Sequence, residues 1–374
     1  MVAGGGDSED AEAAGAVQRL PAEIRFADEL ARLAEADREP VPPGWRLSPR
    51  AVRRFVLGDE GLGVAAKFVG DDPLVDRCIV SLMGHQGLML VGEPGTAKSL
   101  LSELLAAAIG GHSGLVVQGS AGVIEDHLRY GWNYALLIAE GPSERALVPS
   151  PVLSAMRLGT IARIEELTRC PPEVQDALIS MMSEKAIAIP ELGPEAESRA
   201  RPGFNLIATA NLRDRGVHEL SSALKRRFNF ETVRPIRDPA FEAALVRRQL
   251  AERMAAHPIE TAMPDDVLEV LVAVFRDLRT GTTAEGATVD RPASVMSTAE
   301  AVDVAHAAVL DAAYLGGEAV SGAHVARRIR GTVFKDDPED GRKLRAYVDH
   351  VAKARARGSR VWRDFHRAAR REED

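Results

Sequence analysis

An octapeptide near residue 95 has the composition and spacing of a phosphate-binding loop. Its residues are Gly92, Glu93, Pro94, Gly95, Thr96, Ala97, Lys98 and Ser99. Glycines allow backbone N–H groups to approach phosphate oxygens, and the N-terminus of a following helix adds partial positive charge. In such loops the lysine contacts the β- and γ-phosphates, and the hydroxyl residue is a ligand of Mg²⁺. All eight residues are therefore predicted to bind a nucleoside triphosphate, with Lys98 on the phosphates and Ser99 on the metal.

One position of this loop departs from the usual pattern. Alanine occupies position 97, directly before the lysine, where glycine is usual. Alanine adopts right-handed helical backbone angles without strain. The loop is therefore expected to tolerate Ala97 if this position is right-handed.

Two adjacent carboxylates follow a later apolar run and supply the acidic groups that a phosphate loop needs. Glu165 and Glu166 come directly after residues 160–164. The carboxyl ends of strands in open α/β sheets are where ligands bind. We predict that Glu165 holds Mg²⁺, usually through water, and that Glu166 polarises the attacking water. Aspartate is usual at the first position, so the longer Glu165 predicts looser metal geometry or slower hydrolysis.

A charged residue inside the same apolar run needs a partner. Arg163 lies two residues before the first carboxylate, within a segment that is otherwise apolar. A buried charge must be paired. The sequence therefore requires a carboxylate partner for Arg163, which the sequence itself does not identify.

Short apolar runs alternate with amphipathic stretches around these motifs. We predict strands over residues 88–91, 115–118, 160–164 and 204–209, and helices over residues 99–109 and 172–185. Strands separated by helices indicate a parallel sheet that is covered on both faces.

The remainder of the chain differs in pattern from this central part. Residues 1–40 carry ten acids against four bases, and we interpret the N-terminal region as acidic and peripheral. Beyond residue 236 the pattern is helical, with helices predicted over residues 239–254, 265–279, 297–314 and 344–366. The predicted divisions are a disordered acidic tail at 1–16, a helical extension at 17–65, an α/β domain at 66–236, a helical domain at 237–320 and a basic helical extension at 321–374.

Overall composition excludes several classes of protein. The 374 residues carry a net charge of −8 and only 5% aromatics, which argues against a general nucleic-acid-binding surface. The two cysteines, Cys78 and Cys170, are too few for a disulfide scaffold or a cysteine-rich metal site. No apolar run approaches the roughly 18 residues of a membrane span, and no secretory signal is evident. We expect a cytoplasmic protein with reduced thiols.

Together these motifs resemble the MoxR-type AAA+ ATPases over residues 66–315. The phosphate loop with alanine before lysine is followed by Glu165-Glu166-Leu-Thr-Arg-Cys-Pro-Pro-Glu-Val-Gln-Asp-Ala-Leu. Phe204-Asn-Leu-Ile-Ala-Thr-Ala-Asn211 resembles the sensor-1 strand, and Glu219-Leu-Ser-Ser-Ala-Leu-Lys-Arg-Arg227-Phe228 resembles the arginine-finger segment. The resemblance implies a P-loop AAA+ fold, in which a parallel sheet flanked by helices is followed by an all-α lid domain.

The resemblance also implies roles for polar residues beyond the phosphate loop. Asn211 would orient the nucleophilic water or contact the γ-phosphate. Arg227 would reach the nucleotide of a neighbouring subunit and stabilise transition-state charge, as arginine fingers do. The adjacent Arg226 is the alternative finger, and Arg227 is favoured because it directly precedes Phe228.

Further residues are assigned by the resemblance alone. Val69 and Gly70 resemble the start of the segment on the adenine side of the nucleotide. Arg291 occupies the region of the sensor-2 arginine, although the usual Pro-Arg order is not reproduced. Residues 119–158 and 183–203 resemble insertions that form hairpins and project into a ring pore or towards a partner.

The activity implied by the resemblance is Mg²⁺-dependent ATP hydrolysis that remodels or matures a protein partner. The family forms rings, typically hexamers, and commonly works with a von Willebrand factor A-domain protein. A DNA-acting ring motor is one alternative, but the mixed charges of residues 183–203 provide no positive lining. A non-hydrolysing nucleotide-dependent scaffold is a second alternative, which Ala97 and Glu165 permit.

Overall fold

The computed structural model describes residues 19–69, 71–211, 217–236, 238–316, 319–335 and 337–371. The predicted acidic tail and Gly70 lie outside these described residues. Contacts divide the chain into two compact units. The α/β unit extends to Val233 without the loop residues Glu93–Ala97, and the helical unit comprises those loop residues and the chain from Arg234 onward.

A five-stranded parallel sheet forms the centre of the α/β unit. The strands described in this unit are β1 Gly87–Gly92, β2 Val116–Gln118, β3 Tyr130–Trp132, β4 Leu147–Pro149, β5 Ile161–Glu165, β6 Ala186–Ala188, β7 Glu197–Arg199, β8 Asn205–Asn211 and β9 Phe228–Thr232. The sheet has the order β2-β5-β8-β1-β9, and every neighbouring pair is parallel. This confirms the predicted parallel sheet, and the four predicted strands match within two residues at each end.

The fifth strand of the sheet, β9, is absent from the sequence predictions. It pairs only with β1 and therefore lies at the sheet edge. Of its two phenylalanines, Phe228 is buried, whereas Phe230 is 44% exposed. A short edge strand with polar residues between its aromatic residues lacks the continuous apolar run that marks a buried parallel strand.

Helices cover both faces of the sheet. The helices of the α/β unit are α1 Ala22–Arg25, α2 Ala27–Ala36, α3 Pro49–Leu57, α4 Asp72–Met83, α5 Lys98–Gly110, α6 Tyr134–Glu140, α7 Pro151–Leu158, α8 Pro172–Glu184 and α9 Ser222–Lys225. Side chains alternate in direction along a strand. Leu88 and Leu90 of β1 accordingly join a core with α3, α4 and α5, whereas Met89 and Val91 join a second core with α7 and α8.

The described part of the N-terminal region, from residue 19, is not peripheral, contrary to the interpretation from its charge. Leu33, Trp45 and Phe55 are buried in the same core as strand β1 of the sheet. An ion pair between the buried Lys67 and the partly buried Glu29 connects α2 to the segment before α4. Charged residues on the exposed faces of α2 and α3 hide this apolar side from an argument based on composition.

Two antiparallel hairpins occur in the insertions. Strands β3 and β4 pair with each other and enclose α6, whereas β6 and β7 pair across a short loop. Each lies in a segment for which the family resemblance implies a hairpin.

The helical unit is built around one hydrophobic core. Its helices are α10 Pro239–Met254, α11 Asp265–Thr280, α12 Thr298–Leu310, α13 Gly322–Val333, α14 Pro338–Tyr347, α15 Lys353–Arg355 and α16 Arg360–Arg371. The core continues from Val246 on α10 to Phe365 on α16. The helical character that follows the sheet is confirmed, while the division at residue 320 and the other predicted boundaries stay predictions.

One helix prediction in this unit is wrong. A single helix was expected over residues 344–366, but α14 ends at Tyr347 and a π-helical turn follows at Val348–Ala352. After α15 the chain breaks again around Gly358 before α16 begins. Glycine lowers helix stability by about 1 kcal/mol relative to alanine, which favours a break at this position.

Two smaller expectations concern membranes and thiols. No helix in the described parts of the chain is long and apolar enough to cross a membrane. Cys78 and Cys170 are both buried, and neither forms a disulfide.

Candidate nucleotide site

The phosphate loop connects β1 to α5, as its position after an apolar run predicts. Gly95 and Ala97 both have left-handed backbone angles, with φ of 73° and 65°. The right-handed conformation on which tolerance of Ala97 depended is therefore not the one observed. A left-handed L-residue costs about 1–2 kcal/mol, so the turn into α5 is made at the expense of local strain.

Lys98 and Ser99 begin α5 at the carboxyl end of β1. The Lys98 side chain is buried, and its Nζ donates a hydrogen bond to the Gly92 carbonyl at 3.2 Å. Within the loop, the Thr96 hydroxyl donates to the Glu93 carbonyl at 2.8 Å. The lysine ammonium is thus held beside Gly92, the last residue of β1.

Glu165, the last residue of β5, accepts hydrogen bonds on both carboxylate oxygens. Ser99 and Thr209 donate to Oε2 at 2.6 and 2.8 Å. Ser102 and Arg163 donate to Oε1, each at 2.7 Å. Burial of this carboxyl raises its pKa, but the Ser99 hydrogen bond, the Arg163 charge and the other two hydroxyls outweigh burial and hold the pKa below its ordinary value. Glu165 is therefore an ionised carboxylate with a fixed orientation.

The partner of Arg163, which the sequence did not identify, is Glu165. The two residues stand two positions apart on β5, so their side chains lie on the same face of the sheet. Arg163 is itself buried, and it also donates to the carbonyls of Ser113 at 2.9 Å and Ser99 at 3.1 Å. Its Nε donates to the Ser102 hydroxyl at 3.0 Å. The guanidinium thus donates to Ser99 and Ser102 of α5, to Ser113 before β2, and to Glu165.

Glu166 lies just beyond the strand and has different surroundings. Its backbone is left-handed, with φ of 55°. Its carboxylate is partly exposed and accepts from Arg169 Nε at 2.8 Å. The backbone N–H of Glu166 donates to the Thr209 hydroxyl at 2.9 Å, and that hydroxyl donates in turn to Glu165. Thr209 therefore links the two carboxylate residues.

Asn211 is the last residue of β8. In the pairing of β8 with β1 it stands opposite Gly92. Gly92 also accepts the Lys98 hydrogen bond. Asn211 therefore belongs to the same edge of the sheet, the one formed by the carboxyl ends of the strands, as Lys98, Ser99, Glu165 and Glu166. Five predicted site residues are therefore brought to one edge.

The oxygen atoms at this edge suit a magnesium ion. The Ser99 hydroxyl and Glu165 Oε2 are 2.6 Å apart, and Mg²⁺ prefers such hard oxygen ligands while keeping several waters. Ser99 and Glu165 are the residues that would hold it. No cluster of three or more His, Cys, Asp or Glu suited to another metal occurs in the described residues.

The candidate finger arginines lie at the opposite end of the parallel strands, where β1 begins. The Arg227 carbonyl accepts from Gly87 N at 2.8 Å, at the start of β1. Since β1 has six residues, the two edges are about 17 Å apart along the strand. The structure thus does not bring Arg226 or Arg227 to the Lys98 edge of the same sheet.

The two arginines differ in their contacts. Arg227 Nε donates to the Ser183 hydroxyl at 3.1 Å, and its NH1 donates to the Ala223 carbonyl at 2.9 Å. Arg226 is exposed, and its side chain has no hydrogen bond or ion pair with any residue that the structure describes. The favoured finger is therefore tethered, and the alternative is the more accessible side chain.

Comparison with known proteins gives two family models that cover most of the chain. An AAA domain of the dynein-related subfamily matches residues 87–228, and a YehL-like AAA+ ATPase C-terminal domain matches residues 240–372. The uncharacterized protein YehL of Escherichia coli K12 is 52% identical over 334 residues, covering 89% of this chain and 92% of that protein. The chain belongs to the YehL-like family of MoxR-type AAA+ ATPases. The resemblance found in the motifs is thereby confirmed.

More distant relatives match parts of this YehL-like chain. Chaperone MoxR1 of Mycobacterium tuberculosis is 30% identical over 164 residues, which cover 44% of this chain and 40% of that protein. Among solved structures, NtrX from Brucella abortus in complex with ATP aligns with a TM-score of 0.49 and 13% identity, over 78% of this chain and 60% of that one.

Val69 and Arg291 are two further predicted site residues of the YehL-like chain. Val69 is half-buried just before α4. Arg291 is exposed on the loop before α12, where its side-chain stem lies close to Gly281. Their roles at the nucleotide stay predictions.

Sequence reasoning missed Ser102 and Thr209 as partners of the first carboxylate. A signal for Ser102 exists, because residues three apart on a helix share a face and Ser102 follows Ser99 at that spacing. Thr209 lies on β8, which pairs with β5. A polar residue near the end of the strand beside an acidic strand end is a usable signal of the same kind.

Proposed function

We propose that this protein hydrolyses ATP with Mg²⁺ at the edge formed by β1, β5 and β8. The supporting observation is the 2.6 Å contact between the Ser99 hydroxyl and Glu165, which joins the phosphate loop to the acidic strand end. Family membership supports the same chemistry. In this proposal Lys98 and the loop hold the phosphates, and Ser99 and Glu165 hold the metal.

The remaining roles concern the attacking water. A bound Mg²⁺ offsets charge on the β- and γ-phosphates. Glu166 accepts a proton from the water on its carboxylate, after that carboxylate leaves Arg169, and Asn211 orients the water. An arginine from a neighbouring subunit stabilises the transition state, with Arg227 as the proposed finger and Arg226 as the alternative.

ATP turnover by wild type and two variants tests this proposal. Lys98→Ala removes the charge on the phosphates and is expected to lower the rate by about 100-fold or more. Glu166→Gln is expected to lower turnover similarly while leaving ATP binding intact, because only the proton acceptor is lost. Phosphate release and fluorescent-nucleotide binding measure the two quantities. Equal, slow turnover by wild type and Lys98→Ala would reject the enzyme and favour the non-hydrolysing scaffold.

We further propose that a cytoplasmic ring, hexameric as is typical of the family, remodels a protein client together with a von Willebrand factor A-domain protein. The two hairpins β3–β4 and β6–β7 are the segments proposed to engage a partner. The β6–β7 hairpin contains an ion pair between Arg199 and Glu197 rather than a basic stripe, which disfavours a DNA-acting motor. Affinity capture with Glu166→Gln in ATP tests this, and recovery of DNA instead of a protein would favour the motor.

A further inference from the structure

A positive charge is built into the acidic strand of the candidate site. Arg163 stands within β5, all five residues of which are buried. The side chains of Arg163 and Glu165 are only 10% and 7% exposed, and their atoms approach to 2.7 Å. Screening by water is weak at such a pair, so each charge offsets the other strongly.

The contacts divide the Glu165 carboxylate into two halves. Oε1 faces the Arg163 guanidinium and the Ser102 hydroxyl. Oε2 faces Thr209 and the Ser99 hydroxyl that is proposed to bind metal. The guanidinium also donates to the Ser99 carbonyl at 3.1 Å, so its charge lies directly against the first turn of α5. A positive group is therefore present beside the phosphate-binding helix whether or not a metal ion is bound.

This arrangement affects how the site accepts a polyphosphate. An unneutralised carboxylate beside Ser99 would repel the phosphates, and a bound divalent cation is one way to remove that repulsion. We propose that Arg163 supplies, within the protein, part of the positive charge that offsets Glu165, so that the site binds nucleotide with only weak dependence on Mg²⁺. The inference rests on the proposed ATP site and assigns Arg163 as a positioning residue for Glu165.

The test measures ATP affinity in excess Mg²⁺ and in EDTA, with a fluorescent ATP analogue, for wild type and position-163 variants. The informative quantity is the dissociation constant in EDTA divided by the dissociation constant in Mg²⁺. Arg163→Met removes the charge and leaves Glu165 uncompensated, so affinity in EDTA falls and the ratio rises by about tenfold, the effect of one lost charge-assisted contact. Arg163→Gln, which keeps a hydrogen-bond donor, shows the same rise and replaces Arg163→Met if that variant does not fold.

Arg163→Lys separates charge from packing. It loses the planar fork, as the neutral variants do, but it keeps the positive charge and is expected to keep the ratio within about threefold of wild type. Arg279→Met is a matched control, because Arg279 makes a comparably buried ion pair with Glu242 at 2.7 Å in the helical unit. It should lower the melting temperature as Arg163→Met does, without changing the ratio.

The outcomes are distinguishable. A folded Arg163→Met or Arg163→Gln with the wild-type ratio overturns the inference, as does an Arg163→Lys ratio that rises as far as that of the neutral variants. In both cases the proposed ATPase stands. Wild-type protein that binds no ATP under either condition overturns the proposed function and the inference together.

Discussion

Two residues of the candidate site, Ala97 and Glu166, hold left-handed backbone angles without being glycine. One closes the phosphate loop and the other directly follows the acidic strand. Strained non-glycine residues of this kind persist only where the surrounding structure holds them, and they cluster at functional sites. Their positions next to Lys98 and Glu165 agree with the proposed chemistry.

Ala97→Gly is expected to stabilise the protein. Glycine adopts the observed φ of 65° without strain, and this gain of about 1–2 kcal/mol exceeds the loss of about 0.4–1 kcal/mol from greater freedom of the unfolded chain. Urea unfolding should therefore show a gain of about 0.5–1 kcal/mol. Ala31→Gly, at an exposed position inside α2, is the control and should destabilise by about 1 kcal/mol. A loss of stability in Ala97→Gly would contradict the assigned strain.

At the scale of residues, the sequence predicts the chemical role of a side chain better than the conformation of its backbone. The chemistry can be predicted from the residue types at four positions, because a phosphate or a metal requires each of them. These residues are Lys98, Ser99, Glu165 and Glu166. The angle at Ala97 is set by the turn that joins β1 to α5, which no residue type encodes by itself. The Arg163 partner follows from the two-residue period of a strand only once the strand is known to include Glu165, one residue beyond the predicted run.

Among the secondary-structure elements, the interrupted end of the helical unit has a buried polar network at its centre. Arg355 donates to Asp277 at 2.8 Å and makes two hydrogen bonds to Glu285. The Tyr347 hydroxyl also donates to Asp277, and the Arg355 guanidinium lies 4.9 Å from the Trp362 ring. The network joins α11, the end of α14, α15 and α16.

Arg355→Met is expected to destabilise the helical unit. Asp277 is completely buried, and burial raises the pKa of its carboxyl although Arg355 opposes that rise. Losing the guanidinium removes the 2.8 Å charged partner of this carboxyl and leaves Arg276, whose NH2 is 3.7 Å from Asp277 Oδ1, at a cost of about 3–5 kcal/mol. Thermal and urea unfolding measure the loss. Arg357→Met, at an exposed arginine on the same segment, is the control and should change stability by less than about 0.5 kcal/mol.

The same elements show where pattern reading fails. Helical periodicity continues through residues 344–366, so a single helix was expected, yet the contacts of Arg355 and Tyr347 occur where the π turn shifts the helix face. Long-range partners such as Asp277, 78 residues away from Arg355, are invisible to a local pattern. β9 was missed for a related reason, because an edge strand need not be apolar.

At the scale of the whole molecule, the order of motifs predicted the fold more reliably than composition did. Loop, acidic strand, sensor strand and arginine segment occur in one order that implies one sheet topology. Composition misjudged the N-terminal region, where Leu33 packs into the same core as β1 although residues 1–40 are rich in acids. The proposed contact of Arg227 with the nucleotide of a second subunit is a property of an assembly. One chain supplies only the arginine of that contact.

A mixing experiment tests that relation. Arg227→Ala and Glu166→Gln subunits are each expected to be inactive alone, because one lacks a finger and the other lacks a base. Mixed together, they should regain part of the wild-type ATPase rate, since some sites then combine an intact finger with an intact Glu166. Phosphate release across a range of mixing ratios measures the recovery. No recovery at any ratio counts against Arg227 acting in trans. If Arg226→Ala subunits regain activity when mixed with Glu166→Gln subunits and Arg227→Ala subunits do not, the finger is Arg226.

The arginines and the phosphate loop lie at the two ends of the six-residue strand β1. In the proposed arrangement of subunits, this placement has a genetic consequence. Each chain contributes to two catalytic centres, its own loop to one and its arginine to another. A single chain defective in both features therefore silences two centres in any assembly that it joins. Mutant alleles of this kind should be dominant over wild type, and their effect should grow faster than their share of the protein pool.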